Sequence, residues 1–115
     1  MISAGQVVLF KFPQTDQKEV KLRPALVLRK LPGIFNDWLV YMISSQLHQY
    51  LPGIDEKISY EDHDFLKSGL KLPSIVRVSR LAVLDGKLLL GELGRIDDAR
   101  FIRLKQNLCK WIEGE

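Results

Sequence analysis

The sequence predicts a mainly β domain: a strongly bent antiparallel sheet or small β-barrel, with one short helix and a C-terminal helix. Three observations lead there. Short apolar runs recur between Pro, Gly and Asp punctuation, as strands do. Asp85-Gly86 stands between Leu81–Leu84 and Lys87–Leu90, a hairpin signal. Near the C-terminus the period changes, and Phe101, Leu104, Leu108 and Trp111 recur at three- and four-residue spacing. At least five strands and two helices in 115 residues fit a compact, bent sheet.

Taken in order, Gln6–Phe12 is a buried strand, opened by Gly5 and stopped by Pro13. Gln14–Glu19 is a polar loop. Ala25–Leu28 forms a second apolar run entered through Pro24, since proline is tolerated at the first position of a strand. Leu31-Pro-Gly33 turns the chain into a third strand, Asp37–Ser45. Gln46–Gly53 is a loop holding His48 and Tyr50, and Ile54–Ser59 is a short strand. Glu61–Lys67 makes one or two helical turns ended by Gly69 as C-cap. Ser74–Ser79 alternates Ile75, Arg77 and Ser79 against Val76 and Val78, the pattern of a half-exposed strand. Asp97 is placed to cap the last helix, whose apolar stripe, with Ile112 alongside, packs on the sheet.

Length and composition set the frame. The chain is one domain, residues 1–115, of ordinary globular composition, 46% hydrophobic and 27% charged. Its net charge of +3 decides nothing by itself. Basic residues do cluster, at Lys18–Lys30 and again at Lys67–Arg80. The single cysteine, Cys109, excludes a disulfide framework within the chain and fits a reducing cytoplasm, with Cys109 as a small buried apolar residue. Met1–Phe12 has no charged n-region or long apolar stretch, so it is not expected to be a signal peptide, and no run approaches the roughly 20 apolar residues of a membrane span. There is no Walker loop, dinucleotide fingerprint or zinc spacing, so no cofactor or metal is expected. His63, between Asp62 and Asp64, reads as a solvated helix start rather than a metal cluster.

Function enters through motifs. Lys21-Leu-Arg-Pro-Ala-Leu-Val-Leu28 resembles the Lys-x-Arg-Pro-Ala-Leu-Val-Leu signature of the PemK/MazF toxins. Gly5-Gln-Val-Val-Leu-Phe-Lys-Phe-Pro13 and Thr15-Asp16 are similar to that family's first strand and loop. Met42-Ile-Ser-Ser-Gln46, Gly69–Val78 and Leu93-Gly94 match later blocks, in family order. The resemblance implies an SH3-like β-barrel and a homodimer. It also implies metal-independent, sequence-specific cleavage of single-stranded RNA or mRNA, and a cognate antitoxin that blocks the RNA groove. DNA would be met only through the antitoxin complex.

Such cleavage uses the RNA's own 2′-OH as nucleophile, so the protein supplies a base, phosphorane stabilisation and a proton for the leaving oxygen. Arg23 matches the family's catalytic Arg, a fork able to grip two phosphate oxygens. Ser44 matches its catalytic Thr, keeping the hydroxyl and losing a methyl. Arg77 matches an Arg used on the phosphate. Lys21, Ser45, Gln46, His48, Ser79 and Arg80 are the candidate RNA-binding residues. Two positions depart from the pattern: Ser79 stands where a proposed Asp base is expected, and Gln6 where Asp is usual. Phe12, Phe35, Trp38 and Tyr50 are aromatics on which bases could stack.

Each residue also has a structural reading: Arg23 as a surface Arg beside a strand, Ser44 as a strand-end Ser bonding its own backbone, His48 as a solvated loop histidine. Two alternatives therefore stand beside the ribonuclease. One is a catalytically inactive barrel that binds RNA or antitoxin. The other is a gyrase-poisoning toxin of the same fold, for which Trp111 near the C-terminus is the relevant feature.

Overall fold

The structure, a computed structural model, describes residues 1–13 and 20–114. Gln14–Glu19, read above as a loop with Thr15-Asp16 in it, lies outside the described residues. Six strands form one sheet: β1 (Gln6–Pro13), β2 (Val20–Lys30), β3 (Asp37–Ser44), β4 (Glu56–Ile58), β5 (Ser74–Asp85) and β6 (Leu89–Arg95). Helices α1 (Phe65–Ser68) and α2 (Asp98–Glu113) complete the chain. The strand order is β4-β5-β3-β2-β1-β6, with every pair antiparallel. The sheet is not closed, but it curls in the barrel-like way the sequence predicts.

The runs in β1 and β2 are apolar at successive positions because the curled sheet is buried on both faces. Val7 and Leu26 point to one core, with Tyr41, Ile43, Val76 and Leu104. Their neighbours Val8, Ala25 and Val27 point to the other, with Phe10 and Val40. α2 covers the first core through buried Leu104 and half-buried Phe101 and Leu108. Tyr41 ties the two together by donating its hydroxyl to the Leu104 carbonyl at 2.9 Å.

Several expectations change. Asp85-Gly86 does turn the chain, but its flanking runs do not pair with each other. Leu81–Leu84 belongs to β5 and pairs with β3, whereas β6 pairs with β1 at the far end of the sheet. A one-turn 3-10 segment, Gly86–Leu88, makes this crossing, held by the Lys87 N–H donating to the Asp85 carboxylate at 2.9 Å. The hairpin signal is local, and sheet curling overrides it. Pro24 is not a strand's first residue but lies within β2, opposite Leu9. Pairing with β3 begins only at Ala25, so the segment up to Pro24 has one sheet neighbour and the missing N–H is tolerated. Ile75 and Val76 are both buried, so β5 starts as a two-sided core strand rather than an alternating one.

The C-terminal helix also differs. Asp97 occupies the N-cap position without a side-chain capping bond. Trp111, Ile112 and Cys109 are exposed, because α2 runs past the edge of the core at its last turn. The stretch at Glu61–Asp64 is not helical, and Asp64 is buried rather than solvated. Gly69 does end α1, in the left-handed conformation at φ 76°. No described helix is long and apolar enough to cross a membrane.

Candidate active site

Two features of the sheet open a groove across β2, β3 and β5. β2 leaves β3 at Ala25, exposing Arg23 and half-exposing Pro24 beside the end of β3. β5 carries an irregularity: Tyr41 faces Leu81, while the next residue, Met42, faces Arg77. Val78, Ser79 and Arg80 are left without β3 partners, and the local bend re-aims their side chains.

The groove has two lobes, of about 350 and 450 Å³. Phe12, Gln49, Arg77 and Arg80 line only the first lobe. Lys21, Ser45, Lys71 and Leu72 line only the second. Arg23, Pro24, Ile43, Ser44 and Gln46 line both, so the guanidinium and the hydroxyl stand at the junction.

The polar groups are connected. The Arg23 guanidinium lies over the Phe12 ring, 4.8 Å from its centroid, an arrangement that holds the cation without using its N–H donors. Ser44 Oγ accepts the Gln46 N–H at 3.0 Å, the backbone bond expected of a strand-end serine. It also lies 3.5 Å from Gln49 Oε1. Arg77 Nη1 donates to the same Gln49 oxygen at 3.1 Å, so Gln49 bridges Ser44 and Arg77. Lys21, Arg23, Lys71, Arg77 and Arg80 make the lining strongly basic, and among the described residues no carboxylate or histidine side chain lines it. The groove is thus basic, with aromatic and apolar walls, a lining chemically suited to an anion.

A family model described as "PemK-like, MazF-like toxin of type II toxin-antitoxin system" matches residues 3–112. The chain belongs to this toxin family. Among solved structures it is similar to the Mycobacterium tuberculosis toxin MazF-mt6, with a TM-score of 0.70 at 14% identity. That match covers 96% of this chain and 98% of the other. It establishes the shared fold. No curated protein matches the chain significantly.

Among the residues singled out in this family member's sequence, the fold brings together Lys21, Arg23, Ser44, Ser45, Gln46, Arg77 and Arg80. It does not bring in His48, which is exposed on the 3-10 turn Leu47–Gln49 and lines neither lobe. The next residue but one to Gln46 is thus solvated, and the residue after it, Gln49, enters the groove. Ser79 is also outside the lining. Its hydroxyl donates to Asp55 Oδ1 at 3.0 Å and its N–H to the same oxygen at 3.1 Å.

Of the aromatics, only Phe12 lines the groove. Tyr50 is covered by Lys57 Nζ at 4.6 Å, Trp38 packs against the second core, and Phe35 is exposed in the β2–β3 loop. Gln6, at the other departure from the family pattern, is buried and anchors the N-terminal segment through Ser3 N–H at 2.9 Å and the Met1 carbonyl at 3.0 Å. Gln49 and Asp55 are the site residues that sequence reasoning missed. Neither has a spacing signal, since their partners lie 28 and 24 residues away.

Proposed function

We propose that this toxin is a sequence-specific endoribonuclease that cuts single-stranded RNA by attack of the substrate's own 2′-OH, a reaction that requires no metal. The observation that carries the reading is the junction of the two lobes, where Arg23 and Ser44 meet the Arg77–Gln49 pair. A scissile phosphate at this junction would receive charge-assisted bonds from both guanidinia and a hydrogen bond from the Ser44 hydroxyl. The 2′-oxygen bonds to phosphorus as the bond to the 5′-oxygen breaks, leaving a 2′,3′-cyclic phosphate. The 2′-OH gives up a proton and the departing 5′-oxygen gains one. Both guanidinia neutralise the phosphorane between those events. Flanking nucleotides run into the two lobes, with Phe12 as stacking wall and Lys21, Ser45, Gln46 and Arg80 as backbone and base contacts.

The rest of the reading draws its support from family membership. The whole chain acts as one toxin domain, in the cytoplasm, as a homodimer. A cognate antitoxin silences it by occupying the groove, and DNA is contacted only through that complex.

The test is incubation of unstructured RNA with wild-type protein and with Arg23→Ala, both in EDTA, followed by mapping of the ends. Cuts at a short recurring sequence with cyclic phosphate ends, absent in the variant, are expected. A second reading, RNA or antitoxin binding without cutting, draws on Ser79 turning to Asp55 and on the lack of a carboxylate among the described lining residues. It predicts RNA binding weakened by Arg23→Ala and no cleavage product from folded, antitoxin-free protein.

A further inference from the structure

Behind the groove lies a titratable group that the reaction above does not use. Asp55 sits in the loop before β4, and its carboxylate is fully enclosed, with 0% of the side chain exposed. Its oxygens are committed to backbone and hydroxyl donors. Oδ2 accepts the Leu51 N–H at 3.1 Å. Oδ1 accepts the Ser79 N–H and hydroxyl. The carboxylate therefore pins the Leu47–Asp55 loop, which carries Gln49, to the irregular part of β5.

Arg77 is the nearby cation. Its Nε is buried without a hydrogen-bond partner and lies 3.9 Å from Asp55 Oδ2. A buried N–H left unmade is costly, and a buried carboxylate beside it is the natural acceptor. A charge-assisted bond forms at about 2.8 Å, so a shift of about 1 Å closes it. Catalytic hydrogen bonds are often long in the free enzyme and tighten when substrate binds. Nη1 is already held by Gln49.

We propose that Asp55 is a positioning residue for Arg77: it fixes the guanidinium from its Nε edge, while Gln49 fixes one Nη, so that the remaining donors meet the scissile phosphate. Being enclosed, Asp55 touches no substrate and acts through Arg77. This deepens the ribonuclease reading and rests on it.

The test compares wild type, Asp55→Asn, Arg77→Ala and the double variant on a short single-stranded RNA. It also follows the Arg77 Nε–Hε resonance by NMR with bound and free RNA analogue. Asp55→Asn keeps the shape and removes the charge. It should lower kcat by about tenfold to a hundredfold with little change in KM. The double variant should be no slower than Arg77→Ala alone, and the wild-type Nε–Hε signal should be protected from exchange with water, more so with RNA analogue bound. Additive losses, or an Asp55→Asn kcat equal to wild type, overturn the proposal. So does a wild-type Nε–Hε proton that exchanges freely, which decides the matter even where Asp55→Asn fails to fold. Wild type that cuts no RNA defeats the ribonuclease reading, while the NMR signal still tests whether Asp55 holds Arg77.

Discussion

Arg100 on α2 grips both oxygens of Asp64, with Nε at 2.8 Å from Oδ2 and Nη2 at 3.1 Å from Oδ1. The same guanidinium reaches Glu56 on β4 at 3.0 Å, the Lys57 carbonyl at 3.0 Å and Asp62 at 3.2 Å. Asp64 also accepts the Asp97 N–H at 3.1 Å, at the start of α2. One buried cation thus joins α2 to β4 and to the α1 approach.

Removing either partner should be costly: without Asp64 the buried Arg100 keeps Glu56 and Asp62 but loses its bidentate partner, and without Arg100 the buried Asp64 carboxylate loses its counter-charge. Asp64→Ala is expected to lose about 3 kcal/mol in urea unfolding, as breaking buried pairs does. The acid limb follows the same pair. Burial alone would raise the Asp64 carboxyl, but the bonds and charge of Arg100 and the Asp97 N–H hold it below the ordinary value. A depressed folded pKa contributes stability above the unfolded value, near pH 4, and loses it as pH falls through the folded value. Wild type should therefore lose stability steeply below about pH 4, and Asp64→Asn should flatten that limb.

Tyr41 should report on the α2–sheet contact. Tyr41→Phe leaves the Leu104 carbonyl without its buried donor and is expected to cost about 1 to 2 kcal/mol by chemical denaturation. Burial of the phenol, with Cys109 nearby as the lesser cause, pushes its ionisation well above the ordinary tyrosine range. Ultraviolet titration should find Tyr41 un-ionised until the fold itself opens in base.

Gly94 shows how tightly β6 meets α1. A methyl group there would run into the Lys67 carbonyl oxygen and the Ser68 backbone. Gly94→Ala is expected to destabilise by about 2 to 3 kcal/mol, because backbone, unlike a flexible side chain, cannot step aside. Thermal melts of the two proteins check it.

Gln49 offers a separation of activity from stability. Gln49→Ala removes the oxygen shared by Arg77 and Ser44. Cleavage should fall about tenfold through misplacement of Arg77, while unfolding changes by less than about 1 kcal/mol for a half-exposed side chain. Steady-state kinetics beside a melt read both.

The strands, the two helices and the core of β1, β2 and β3 were legible in the sequence, because apolar runs and turn residues act over a few neighbours. So were Arg23, Ser44 and Arg77, which lie inside ordered family blocks. Strand pairing was not legible at Asp85-Gly86, since a turn signal cannot say that the sheet curls enough to send β6 to β1. Nor was the burial of Asp64, which depends on Arg100 arriving from 36 residues away. The choice between His48 and Gln49 was made by the 3-10 turn, which exposes one and aims the other inward.

By itself, then, the sequence determined the class of fold, the family and the candidate residues Arg23, Ser44 and Arg77. Only the tertiary structure decided which of them meet, that Phe12 backs Arg23, and that Ser79 turns to a buried Asp55. The physical reason is range: periodicity and turn chemistry act between near neighbours in the chain, whereas the groove and its supports arise where distant strands pair out of register.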